Sequence, residues 1–132
     1  MKEVTAALII FNKKILIARR ASNVPYSGFY EFPGGKIEEN ETPEEALYRE
    51  IEEELGIKCK IGEFFQEIKW ENKFLLKCYF THINKKDIEE MKLRVHDDFQ
   101  WVNLKNYTQY KLLPADIEIM EYLKQSFYSQ LF

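Results

Sequence analysis

Residues 35–57, GKIEENETPEEALYREIEEELGI, constrain the fold of this chain more than any other stretch. They carry the start and stop signals of one helix and an acidic cluster along its side. Thr42 can cap, Pro43 suits the first turn, and Glu45, three residues after Thr42, completes a capping box. Gly56 supplies a left-handed stop. The pattern predicts a helix from Pro43 to Leu55. At about 100° per residue, Leu47, Ile51 and Leu55 form an apolar stripe, and Glu50, Glu53 and Glu54 gather in about one quadrant beside it. Carboxylates three and four residues apart on a helix repel one another by roughly a few tenths of a kcal/mol per pair. The cluster therefore asks for an offsetting partner. Hard divalent cations take oxygen ligands, and magnesium commonly bridges one or two carboxylates to substrate phosphates. The plainer alternative is a solvated acidic face.

The rest of the stretch decides between them. Gly35, Glu41, Arg49-Glu50, Ile51, Glu53-Glu54, Gly56 and Ile57 stand at the spacing of the Nudix box, and on these residues the chain resembles the Nudix hydrolase family. Phe32-Pro33-Gly34-Gly35-Lys36, Arg19-Arg20 after an apolar strand, and Leu113-Pro114-Ala115-Asp116 extend the resemblance to the MutT-type branch. It implies a mixed α/β fold, an α/β/α sandwich around a mixed sheet. It also implies magnesium-dependent hydrolysis, with manganese as a substitute, of nucleoside triphosphates to the monophosphate and pyrophosphate. Oxidised guanine nucleotides such as 8-oxo-dGTP are the expected substrates, with CTP or methylated cytosine triphosphates as the alternative. A non-catalytic nucleotide-sensing module is the alternative of another class. It is disfavoured because Glu50, Glu53 and Glu54 are all retained.

Carried over by position, the resemblance implies metal ligands at Glu50, Glu53 and Glu54 and at the backbone carbonyls of Gly34 and Gly35. Glu50, Glu53, Glu54 and Lys36 form the expected catalytic group, with Glu53 or Glu54 orienting the water. Substrate contacts are expected from Arg20, Glu31, Phe32, Gly34 and Asp116. Arg20 is favoured over Arg19, which strand alternation turns to the opposite face. Arg49 is expected to tie down neighbouring carboxylates through its planar fork. Lys36 and Arg20 either add positive charge near the phosphates or are ordinary surface side chains. Phe32 is a stacking wall for the base or plain core, and Asp116 is a base reader or a cap of the last helix. An ionised Asp116 only accepts hydrogen bonds, which suits guanine N1–H and N2–H or an exocyclic amine. Many relatives hold a glutamate six residues before the tryptophan, where this chain has Val95-His96-Asp97-Asp98. Asp97 and Asp98 are the carboxylates on offer there, and the general base stays open.

The 132 residues suit one domain spanning 1–132. With 45% hydrophobic and 15% aromatic residues, wholesale disorder is excluded. No apolar run nears the roughly 20 residues a membrane helix needs. Asn12-Lys13-Lys14 interrupts the apolar start, which reads as a strand rather than a leader, and a cytoplasmic location is expected. The net charge of −3 argues against a nucleic-acid partner. A monomer or weak homodimer acting on a small nucleotide is expected, with Leu131-Phe132 either fraying or supporting a dimer. Cys59 and Cys78 read as buried free thiols in strands. His82 and His96 lack metal-ligand spacing and read as incidental.

Val4–Phe11 and Lys14–Arg20 read as a hairpin turning at Asn12-Lys13, and Phe29–Phe32 as a short strand ending at Pro33-Gly34-Gly35. Ile57–Trp70 and Lys73–Ile83 read as a second hairpin through Glu71-Asn72. Lys85–Arg94 is a loop or short helical turn, and Phe99–Asn103 a strand with Trp101 packing inward. A last amphipathic helix follows Leu112-Leu113-Pro114-Ala115-Asp116, with Asp116 at its first turn and Met120, Leu123, Phe127 and Leu131 as a core or interface stripe.

Overall fold

Strand β1 (Lys2–Phe11) is the centre of the sheet in the computed structural model, which describes residues 1–131. β2 (Lys14–Arg19) returns from a two-residue turn in which Asn12 and Lys13 have φ of 52° and 63°, the backbone geometry that matches strand twist. There follow β3 (Tyr30–Glu31), β4 (Gly34–Lys36), α1 (Pro43–Leu55), β5 (Lys60–Trp70), β6 (Phe74–His82), α2 (Lys85–Glu90), β7 (Asp98–Val102) and α3 (Pro114–Gln125).

The strand order is β3-β2-β1-β6-β5, with β4 added to β1 and β7 to β2. β1 runs parallel to β6 from the Lys2–Phe74 pair to Ile9–Thr81. Its other edge takes β4, antiparallel, from Val4–Lys36 to Ala6–Gly34, and then β2 at Ile10 and Phe11. The sheet is mixed. Alternation along β1 sorts its side chains into two layers. Ala7 and Ile9 join Leu47, Ile51 and Leu55 of α1, whereas Ala6 and Leu8 join Ile119, Met120 and Leu123 of α3. Each buried leucine or isoleucine contributes roughly 1.5–3 kcal/mol, so packing holds one helix to each face. The result is an α/β/α sandwich.

Helix α1 has the predicted bounds. The Thr42 side chain accepts from the Glu45 N–H, Glu45 accepts from the Thr42 N–H, and Gly56 is left-handed at φ 68°. Elsewhere the structure corrects the expectation. β4 is a strand of its own, made by pairing with β1 rather than by any local pattern. Ile57 and Cys59 precede β5 instead of belonging to it, and they are buried against the α1 layer. Of the two readings of Lys85–Arg94, the helical one holds: Lys85–Glu90 is a six-residue helix with its own capping box from Asn84 and Asp87. The stripe on α3 stops at Leu123, because the helix ends at Gln125 and Phe127 is 78% exposed. The side chain of Leu131 and all of Phe132 lie outside the described residues. Trp101 is part-buried against the α1 layer. Both thiols are free, and burial pushes Cys59 up to about 11 and Cys78 well above the usual thiol range. No helix among the described residues is long and apolar enough to cross a membrane.

Candidate active site

Two adjacent glycines pin β4 between β1 and α1, for different reasons. A Cβ on Gly34, whose φ is 153°, would stand 2.1 Å from the Thr5 carbonyl oxygen. A Cβ on Gly35 would stand 2.5 Å from the carboxyl carbon of Glu50. The first glycine is demanded by backbone, the second by a carboxylate. The Gly34 N–H donates to Glu54 Oε1 at 3.3 Å. Glu54 is only 8% exposed, and burial, with the hydrogen bond and charge of Glu50 added, pushes its carboxyl up to about 9.

Arg49 closes the outer side of this corner. Its Nε donates to Glu41 Oε2 at 2.7 Å and its Nη1 to Glu50 Oε1 at 2.9 Å, with Glu53 3.6 Å away. The guanidinium, helped by the Glu38 N–H, holds the Glu41 carboxyl down to about 2. Arg49 thus ties down the carboxylates as expected. The donor set at the corner is all oxygen. One of two adjacent carboxyls is held in its proton-bearing form by burial and its neighbour's charge, a cost that a hard divalent cation relieves. The residues fit such an ion. Among the described residues, however, no three acidic, imidazole or thiol side chains already converge to hold one, and the Glu53 side chain is 59% exposed.

A cavity of about 620 Å³ runs from Gly34, Gly35 and Glu54 along the α3 side of the sheet, a volume ordinary for a small-molecule site. Asp116, 6% exposed, lines it and accepts from the Phe32 N–H at 3.3 Å. Leu113 is the N-cap of α3 and no side chain caps it, so Asp116 is not a helix cap. Burial, then the charge of Glu31, pushes its carboxyl well above the usual range, which disfavours the ionised acceptor the sequence suggested. Phe32, 4% exposed, belongs to the α3-side core and also lines the cavity.

Arg20 donates from Nε to the Pro25 carbonyl at 2.6 Å and from Nη1 to Glu31 Oε1 at 2.9 Å. The other Glu31 oxygen lies 2.9 Å from Nε2 of His96. His96 is 6% exposed, lines the cavity, and its Nδ1 has no partner among the described residues. Read from its spacing as incidental, it stands in the cavity wall against Glu31. The departure at Val95-His96-Asp97-Asp98 pointed to this loop and to Asp97 and Asp98 in it. Asp97 is taken by Arg19 Nε at 2.7 Å and Asp98 by the Tyr30 hydroxyl at 2.5 Å, and neither lines the cavity.

Of the sequence-derived residues, Gly34, Gly35, Glu54, Arg20, Glu31, Phe32 and Asp116 meet around this one cavity. Glu50, whose carboxyl meets Gly35, and Glu53 do not line it, and Lys36 lies outside it with an exposed side chain, its carbonyl accepting from Arg49 at 3.2 Å. The family model described as the NUDIX domain matches residues 1–123. The chain belongs to the Nudix hydrolase family. It is 34% identical over 125 residues to the CTP pyrophosphohydrolase of Escherichia coli K12, covering 92% of this chain and 90% of that one. It is 31% identical over 120 residues to the 8-oxo-dGTP diphosphatase of Haemophilus influenzae Rd, covering 89% and 88%. Among solved structures, the E. coli ORF135 protein is 32% identical with a TM-score of 0.73, covering 92% of this chain and 86% of that one. The MutT protein of Methanosarcina mazei Go1 is 25% identical with a TM-score of 0.76, covering 94% and 93%. Nudix hydrolases generally need divalent metal ions. The box of this Nudix chain is therefore the segment that turns from β4 into α1.

Proposed function

We propose that the cavity holds a nucleoside triphosphate, its phosphates toward Gly34, Gly35, Glu50, Glu53 and Glu54 and its base toward Phe32 and Asp116. Water cleaves one phosphoanhydride bond, releasing the nucleoside monophosphate and pyrophosphate, with magnesium as the metal and manganese able to replace it. The observation that carries this reading is the continuity of one cavity from the Glu54 carboxyl to the buried Asp116. A divalent cation supplies neutralisation of phosphate charge and acidification of water. The chain's own part is positional. Arg49 fixes Glu50 and the base of the glutamate cluster, while Glu31 and the Pro25 carbonyl orient Arg20, leaving further N–H groups for phosphate or base.

Asp116 bears on the base. In its protonated form, the form that burial favours, the carboxyl offers one donor and one acceptor side by side. The O6/N7–H edge of 8-oxoguanine and the N3/N4–H edge of cytosine both complement that pair, whereas ordinary guanine matches it only at O6/N1–H, its N7 carrying only a lone pair. Oxidised guanine triphosphates are the first reading. Cytosine triphosphates are the second, favoured by the same buried Asp116 and by the full-length similarity to a CTP pyrophosphohydrolase.

The test is release of pyrophosphate and phosphate from ordinary, oxidised and methylated nucleoside triphosphates and ADP-ribose, with magnesium and with chelator. Magnesium-dependent pyrophosphate release, strongest for 8-oxo-dGTP, is expected. A maximum at cytosine nucleotides selects the second reading, and tight binding without turnover contradicts the hydrolase. In Asp116→Ala, discrimination among bases should fall about tenfold further than general cleavage does.

A further inference from the structure

Two buried side-chain polar atoms lack a hydrogen-bond partner among the described residues, Nδ1 of His96 and the hydroxyl oxygen of Thr5. Thr5 is fully buried between Val4 and Ala6 of β1. A valine would fill the same volume with no polar group to satisfy, so the hydroxyl costs stability for as long as it stays unpaired. Register fixes where it stands. Alternation along β1 puts Thr5 on the face of Ala7 and Ile9, toward α1. It pairs directly with Gly35 of β4, and opposed residues of an antiparallel pair carry their Cβ positions on one face about 5 Å apart. The Cβ position of Gly35 is the point that Glu50 reaches, 2.5 Å from its carboxyl carbon. Thr5 therefore lies beneath α1 at the carboxyl corner, and it lines the cavity with Gly34, Gly35 and Glu54. On the other edge of β1 its register partner is Lys77, whose ammonium is taken by Glu3 at 2.7 Å. The carboxyl pair has two donors already, Arg49 Nη1 to Glu50 and the Gly34 N–H to Glu54.

We propose that Thr5 is a positioning residue, its hydroxyl a further donor that steadies the Glu50 and Glu54 carboxylates when a divalent cation is bound. This rests on the reading of the turn from β4 into α1 as the metal centre. An ionised carboxylate has about four acceptor sites, and groups that donate to metal-bearing carboxylates fix their orientation. The hydroxyl then destabilises the metal-free protein and favours the metal-bound one.

Thr5→Val and Thr5→Ser pull the two effects apart. In chelator, Thr5→Val should melt a few degrees above the wild type and Thr5→Ser below it, because the first removes an unpaired hydroxyl and the second a buried methyl. Manganese affinity, read from the electron paramagnetic resonance of the free ion, should run in the opposite order. The dissociation constant is expected to rise about tenfold in Thr5→Val and to stay within about twofold of wild type in Thr5→Ser. An unchanged constant in Thr5→Val overturns the assignment and leaves the metal centre standing. A lowered melting temperature in Thr5→Val would show that the hydroxyl is bonded within the metal-free fold, and also overturns it. Manganese that binds the wild type without broadening the amide signals of Gly34, Gly35 and Glu50 overturns the metal centre, and this assignment with it.

Discussion

The two ends of the cavity are assembled in opposite ways. The carboxylate end comes from one run of chain, β4 through α1, in which helical spacing alone groups Glu50, Glu53 and Glu54. The far wall takes Val4 from β1, Phe32 from beyond β3, Trp70 and Phe74 from the second hairpin, His96 from a loop and Asp116 from α3. A contiguous end is fixed by local geometry and can carry a charge pattern that is costly on its own. A wall gathered from distant segments can change residue by residue without touching the first end. On the proposed function, chemistry belongs to the first and selection to the second.

The sharpest way to break that division is Glu53→Gln. The side chain is mostly exposed, so the amide costs little packing. Turnover should nonetheless fall about a thousandfold, or ~4 kcal/mol of barrier, with the melting temperature retained. Near-wild-type kcat with magnesium present would move the chemistry elsewhere.

The adjacent glycines separate fold from chemistry within the first end. Gly34→Ala drives Cβ into the Thr5 carbonyl and should cost about 3 kcal/mol or more in denaturant unfolding. Gly35→Ala meets only the movable end of Glu50. It should cost about 1 kcal/mol or less while slowing turnover at least tenfold. Equal stability losses would show that Glu50 placement has no separate role.

The smallest expected effect is a pH dependence of stability at Glu41. Its carboxyl is depressed to about 2, so its contribution is complete above the ordinary 4.5 and is lost as pH falls from there toward 2. The gap in melting temperature between wild type and Glu41→Gln should be flat above about pH 5 and close on acidification. A gap independent of pH would remove the ion pair to Arg49 from the stability of the helix start.

The same division explains what was legible in the chain. Thr42, Pro43, Glu45 and Gly56 specify α1 to the residue because caps act through neighbours three or four positions away. The Asn12-Lys13 turn was legible for the same reason, and α3 begins at Pro114, inside the segment read as leading into it. β4 was not, since three residues with two glycines carry no alternation and become a strand only on meeting β1. His96 and Trp70 were passed over because parallel pairing of β1 with β6 and the return of the 95–97 loop bring together residues far apart in sequence. Asp116 was found by motif, but its burial, and with it the upward push on its carboxyl, arises only from packing against Phe32 and Glu31.

The most direct test of the central claim is paramagnetic broadening of backbone amide signals on titrating manganese into the wild-type protein. The expected result is early, selective loss of the signals of Gly34, Gly35, Glu50, Glu53 and Glu54, weakened in Glu53→Gln. Retention of those signals at saturating manganese, or first losses elsewhere in the fold, would contradict a metal centre at the turn from β4 into α1.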